Sequence, residues 1–172
     1  RIGSSLALKA RALGFKVLIY DPYLISGYEK IVGALRKKSL DDLYSSSDVI
    51  SFNVPLTEET KGIIDFEAIY ASAARPLSII NTARGGLSPS VEGICNAIKK
   101  NLIYSYDTDV LPLEPPSKEE IDLLSDPFIR SRFVVTPHTA FYSDESFLEM
   151  RLKAATNVVA GMLGNSNSYQ IL

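Results

Sequence analysis

Leu77-Ser78-Ile79-Ile80-Asn81-Thr82-Ala83-Arg84-Gly85-Gly86 is the stretch on which the fold is decided. Its first five residues are a short apolar run, too short for a helix and bounded by turn-forming residues, so they read as a buried strand. The run ends in an arginine followed by two glycines. Working outward, the same kind of segment recurs on both sides. Upstream lie Lys16–Tyr20, closed by Asp21-Pro22-Tyr23, and Val49–Val54; downstream lie Ile103–Thr108 and Phe133–Thr136.

Helical patterns fill the intervals. The chain opens on one, with Ile2, Leu6, Ala10 and Leu13 on roughly one face and Gly14 as its stop. Ser39, with Asp41 and Asp42 in the first turn, opens a short helix over Leu40–Tyr44, and another spans Phe66–Ala71. Ser88-Pro89 reads as an N-cap and first helical residue of a helix ending at Lys99-Lys100. Further helices follow at Lys118–Leu124 and, capped by Ser143-Asp144-Glu145, from there to Leu163 with Gly164 in the C-cap position. Strand and helix therefore alternate throughout. This predicts an α/β fold, a doubly wound parallel sheet covered on both faces, over residues 1–164, followed by a polar C-terminal tail, 165–172.

The helix at Arg1 has no strand before it, so the sequence reads as part of a longer protein that lacks the first strand of its sheet. In a sheet of order 3-2-1-4-5-6 that strand is central. Val17–Tyr20 and Leu77–Asn81 are then expected to face each other across a one-strand gap.

Composition narrows the function. Of 172 residues, 46% are hydrophobic and 22% charged, which is globular rather than disordered or fibrous. Eighteen basic against twenty acidic residues give a net charge of −2, with no dense basic face for nucleic acid. No apolar run has the ~18–20 residues of a membrane span. The single Cys95 cannot form an internal disulfide, and one histidine with one cysteine cannot build a zinc site. A cytoplasmic protein without metal, nucleic-acid or membrane partners is the expectation.

In sheets of this kind ligands bind outside the carboxyl ends of the strands, which points to Asp21, Val54-Pro55, Thr82-Ala83-Arg84, Asp109 and His138. An acid at the position of Asp21 accepts hydrogen bonds from adenosine ribose hydroxyls in a dinucleotide fold; Asp-Pro is equally an ordinary turn. Arg84 offers two parallel donors suited to a carboxylate; the alternative is a surface arginine in a flexible turn. His138, the only histidine, stands at a strand end, and Glu114 lies in another such loop. A carboxylate on an imidazole fixes its tautomer and makes it a proton donor near neutral pH, although a lone histidine is also a common packing residue. Cys95, inside an amphipathic helix, reads as buried packing rather than a nucleophile.

The motifs RIGSSLALKARALGFKVLIYDPY (1–23), VPLTEETKGIID (54–65), INTARGG (80–86), DVLPLEPP (109–116) and TPHTAFYSDES (136–146) are collinear and cover nearly the whole chain. Together they resemble the NAD-binding domain of the D-isomer-specific 2-hydroxyacid dehydrogenases, and look closest to the C-terminal-binding-protein and phosphoglycerate-dehydrogenase-like branch. The resemblance implies a Rossmann-type domain and NAD-dependent interconversion of a small 2-keto acid and a D-2-hydroxy acid. It implies that Arg84 binds the substrate carboxylate and keto oxygen, and that His138, oriented by Glu114, is the general acid/base. Arg1 and Ile2 would meet the pyrophosphate, Asp21 the adenosine ribose and Asp109 the carboxamide side, with Val54, Pro55, Thr60 and Thr82 lining the cofactor cleft. A homodimer paired through this domain is implied too, as is an inactive isolated piece, because relatives carry a separate substrate domain. The alternative is a corepressor-like dimer that senses NAD(H) with little turnover. Two positions depart from the family pattern: Asp107 stands where a small apolar residue is usual, and Ser88-Pro89-Ser90 replaces an acidic pair.

Overall fold

The computed structural model describes residues 1–164; the predicted tail lies outside the described residues. The elements follow as α1 (Ile2–Ala12), β1 (Leu18–Ile19), α2 (Tyr28–Ile31), β2 (Leu35–Arg36), α3 (Leu40–Tyr44), β3 (Val49–Phe52), α4 (Phe66–Ser72) and β4 (Leu77–Asn81). A 3-10 turn, Gly85–Leu87, then leads to α5 (Val91–Lys99), β5 (Ile103–Thr108), α6 (Lys118–Ser125), α7 (Pro127–Arg130), β6 (Phe133–Val135) and α8 (Asp144–Met162). Two compact units divide at Pro137/His138.

In the first unit every strand pair is parallel. β1 pairs with β2 in a two-stranded sheet, and β3-β4-β5-β6 form a four-stranded one in that order. One face of the larger sheet carries the core. Ile50, Phe52, Leu77, Ile79, Ile103, Tyr106 and Phe133 pack there with Tyr44 of α3, Phe66 and Ile69 of α4, Val91, Ile94 and Ile98 of α5, and Ile129 of α7. Cys95 belongs to this core and is buried. On the other face Val49 and Val134 are exposed, while Ser78, Ile80 and Asp107 are half-buried. The register slips by one residue between Leu77 and Ser78, where Ile103 and Ser105 become successive partners and Tyr104 is left unpaired. That bulge puts Ile103 and Tyr106, three apart, on the same buried face.

Most of the helix boundaries follow from capping. Ser39 Oγ accepts from the Asp42 N–H, Asp65 Oδ1 from Glu67 and Ala68, and Ser117 and Ser143 each close a capping box. Gly14 and Gly164 take left-handed φ values of 88° and 69° just beyond α1 and α8.

Four expectations are corrected. Leu77–Asn81 does not border a gap: it is paired on both sides, by β3 and β5, and β3 is the edge strand on that side. The expected placement omitted β2. Once Leu35–Arg36 is counted, Val49–Phe52 moves up to the place assigned to Leu77–Asn81. The face Ile2, Leu6, Leu13 of α1 is exposed; Ala7 is the buried residue, packed with Val32 and Ala34. The Ser88-Pro89 helix start is displaced to Ser90, whose Oγ accepts from the Gly93 N–H at 2.9 Å, because the Ser88 hydroxyl is bonded to Tyr106 instead. Helices α2 and α7 were not expected from the apolar pattern; α7 is set by Asp126 as N-cap and Pro127 at its first position.

Candidate functional site

The loops at the carboxyl ends of β3, β4 and β5 converge. Arg84 leaves β4 in extended conformation and is exposed. The glycine after it has a positional reason: a Cβ on Gly85 would stand 1.9 Å from the Leu111 carbonyl oxygen. The Arg84 turn is therefore pressed against the loop that carries Glu114, whose Oε1 accepts from the Leu111 N–H at 2.8 Å. The backbone of this turn also meets the loop after β3, with Gly62 N–H donating to Gly86 O at 3.0 Å and Ile64 N–H to Leu87 O at 2.9 Å.

Thr60 holds that neighbouring loop closed. Its Oγ1 donates to Pro55 O at 2.5 Å and accepts from the Thr57 N–H at 2.8 Å, so Pro55, Thr57 and Thr60 form one local unit; Val54, just before it, packs against the core. Thr82 lies exposed in the Arg84 turn. Asp109, buried, receives the Thr136 hydroxyl on Oδ1 at 2.5 Å, and its N–H donates to Asn81 O at 3.2 Å.

On the opposite flank, Arg1 is the N-cap of α1 and Ile2 its first residue. Arginine has no acceptor, so no side chain caps this helix, and its first turn carries no acid. Each of the other helices of eight or more described residues has a serine cap and acids in its first turn. An ideal Cβ on Gly3 lies 3.4 Å from Asn53 Cβ, which brings the start of α1 to the end of β3. Asp21 follows β1; its Oδ1 accepts from the Tyr23 N–H at 2.9 Å, and its carbonyl accepts from Arg36 at 3.0 Å. Tyr23 donates its hydroxyl to Glu59 at 2.5 Å, joining the Asp21 loop to the Thr60 loop. The hydrogen bond to Glu59, then that carboxylate's charge, pushes the Tyr23 phenol above its ordinary value.

His138 opens the second unit, with a left-handed φ of 53°. Such a backbone is uncommon outside glycine, and costs on the order of 1–3 kcal/mol when the surroundings enforce it. Its ring lies edge-on to Phe141 at 6.2 Å, and Phe141 stacks on Phe147, which meets Tyr142 at 4.8 Å.

Asn81, Tyr106 and Thr136 are not among the residues expected at the site, and Ser88 is expected there only as a helix cap, yet their side chains hold the Arg84 turn and Asp109. A signal existed for Asn81: it continues the inward register of Leu77 and Ile79, and a polar residue on an apolar stripe demands partners. A separate cavity of about 360 Å³ lies between the start of α4 and α5, bordered by Asp65, Glu67, Asn96 and Lys100, and none of the predicted site residues lines it.

Comparison with known proteins bears on the family and the fold. The family described as D-isomer specific 2-hydroxyacid dehydrogenase, NAD binding domain, matches residues 1–140. D-3-phosphoglycerate dehydrogenase of Bacillus subtilis (strain 168) is 30% identical over 159 residues, 92% of this chain and 29% of that protein. Its counterpart in Mycobacterium leprae (strain TN) is 34% identical over 158 residues, 92% of this chain and 28% of that protein. Among solved structures, D-lactate dehydrogenase of Aquifex aeolicus, complexed with NAD and lactic acid, superposes with a TM-score of 0.80 at 28% identity, over 95% of this chain and 51% of that one. The chain thus spans under a third of the two phosphoglycerate dehydrogenases and about half of the lactate dehydrogenase. With five collinear motifs on a parallel α/β sheet and a family match over most of its length, the chain belongs to the D-isomer specific 2-hydroxyacid dehydrogenase family, as its NAD-binding domain.

Proposed function

We propose that residues 1–164 are the nucleotide-binding domain of an NAD-dependent dehydrogenase that interconverts a small 2-keto acid and its D-2-hydroxy acid. The observation that carries the reading is the close approach of Gly85 to Leu111, which sets the backbone turn of Arg84 beside the Glu114 loop at the carboxyl edge of the sheet. An exposed guanidinium carried on that turn suits the carboxylate and adjacent keto oxygen of such a substrate.

The residues present fit the cofactor. The start of α1, uncapped and without acids, offers backbone N–H groups and a positive helix end to a pyrophosphate. Asp21, exposed at the end of β1, has an Oδ2 to offer a ribose hydroxyl besides the Oδ1 that serves Tyr23. Asp109 suits the carboxamide side. When bound, NADH supplies a hydride to the carbonyl carbon. The reading assigns Arg84 to polarising the keto oxygen, His138 to donating the proton that oxygen takes up, and Glu114 to supporting the imidazole. The strained backbone of His138 supports an assignment to chemistry rather than packing.

The relatives named above are dehydrogenases, which supports catalysis over a corepressor-like sensing role. A homodimer and a cytoplasmic location complete the proposal. The test is to mix the protein, as its complete gene encodes it, with NADH and either glyoxylate or hydroxypyruvate, and to follow NADH absorbance. Decay that depends on the keto acid and is abolished by Arg84→Ala is expected. No decay with any 2-keto acid, from protein that binds NADH, overturns the catalytic reading.

A further inference from the structure

The turn that carries Arg84 is tied from inside the core by three polar side chains. Asn81 Nδ2 donates to the carbonyl of Arg84 at 3.0 Å and to Tyr106 Oη at 3.2 Å, while Asn81 Oδ1 accepts from the Ala83 N–H at 3.1 Å. Tyr106 Oη is in turn hydrogen-bonded to Ser88 Oγ. One phenol oxygen therefore connects the residue three before Arg84 to the residue four after it. Asn81 and Tyr106 are fully buried and Ser88 nearly so. The Tyr106 ring is held edge-on between Phe66 and Phe133, at 6.2 and 5.4 Å.

A buried hydroxyl between two phenylalanines is a costly choice. Phenylalanine would fill the same space without desolvating an oxygen, and a polar group in the core is tolerable only when fully partnered. Here every side-chain polar atom of the three is partnered. Because Oη accepts from Asn81, its own proton is available for Ser88. Burial pushes the phenol above its ordinary value, so that proton is retained at neutral pH. What the hydroxyl adds is confined to the loop: it fixes the span between β4 and the 3-10 turn.

We propose that Tyr106 and Ser88 are positioning residues for substrate binding, acting through Asn81 to hold Arg84 at the height where its guanidinium meets the substrate carboxylate. The proposal rests on the reading of Arg84 as the substrate-binding cation. It assigns a function to two buried residues that act through another side chain.

The experiment compares Tyr106→Phe, Ser88→Ala, the double variant of these two, Ser88→Thr and Arg84→Lys in the protein as its complete gene encodes it. Tyr106→Phe is expected to raise KM for the 2-keto acid about tenfold, the loss of one buried hydrogen bond, with NADH Kd within about twofold and kcat changed by less than about threefold. Ser88→Ala is expected to act alike, the double variant to be no worse than either single one, and Ser88→Thr, which keeps a hydroxyl, to restore KM. A merely structural role would lower the melting temperature and the active fraction, reducing kcat and leaving KM in place; that result overturns the proposal. If Arg84→Lys raises KM while Tyr106→Phe and Ser88→Ala do not, the positioning role is overturned and the reading of Arg84 stands. If Arg84→Lys leaves KM unchanged, the reading of Arg84 fails and the positioning role fails with it.

Discussion

Gly85 and Leu111 touch backbone to backbone: any β-carbon at Gly85 would sit 1.9 Å from the Leu111 carbonyl oxygen and 2.8 Å from Pro112 N. Neither atom belongs to a flexible side chain, so the contact yields only if two loops separate. Gly85→Ala is expected to cost roughly 1–3 kcal/mol, the usual range for overpacking, and to part the Arg84 turn from the Glu114 loop. Gly86→Ala is the control, because its β-carbon would meet the movable tip of Leu56 at 2.9 Å. Thermal melts and keto-acid reduction rates of the two variants check this. Equal melting temperatures and equal rates would show that the Gly85 contact constrains nothing.

A second expectation concerns His138. His138→Asn should lower kcat for keto-acid reduction by at least ~100-fold, since general acid catalysis contributes ~10²–10⁴. Cofactor affinity should stay nearly intact. Asparagine is also tolerated at positive φ, so the backbone at 53° need not rearrange. Turnover that survives the substitution removes His138 from the chemistry.

The parts of this fold that were legible in the sequence were those whose signal is local. The strands Leu77–Asn81 and Ile103–Thr108 and the helix Leu40–Tyr44 appear at the expected residues, because an apolar run with turn residues at its ends, or a serine cap followed by acids, is complete within a few positions. β2 is two residues, Leu35–Arg36, both exposed, and exists because β1 offers it a ladder. Nothing within those two residues announces it, and its omission moved the sheet edge by one strand. The bulge at Tyr104 is likewise a property of two strands together. The strand-end residues were legible because parallel α/β sheets gather chemistry at one edge; the Asn81–Tyr106–Ser88 tie was not, since it links positions 7 to 25 residues apart in sequence.

Cofactor choice should follow from Asp21. Its carboxylate would face the 2′-phosphate of NADPH, and like charges repel, so NADH should be preferred. Arg36 stands beside Asp21, with its guanidinium donating to the carbonyls of Leu24 and Asp21 at 2.9 and 3.0 Å. Removing the acid leaves that cation in place, so Asp21→Asn should narrow the gap in kcat/KM between the two cofactors. Equal efficiency with both in the unaltered protein would contradict the assignment.

Alkaline pH should destabilise the domain through Tyr44. This residue is buried in the main core, and burial first, then the charges of Asp41 and Asp65, push its phenol up to about 12. An unfolded tyrosine ionises near 10. Between those two values the native state keeps a proton that the unfolded state has released, so the unfolded state binds fewer protons and stability falls as pH rises. The full effect is on the order of 2–3 kcal/mol once pH passes the folded value. The Cys95 thiol, also raised chiefly by burial, adds to the decline in the same direction from lower pH. Urea unfolding of the protein and of Tyr44→Phe, measured from pH 8 to 11.5, checks the sign and the source. The unaltered protein should lose stability more steeply above pH 10 than the variant does; parallel curves would mean that Tyr44 does not drive the decline.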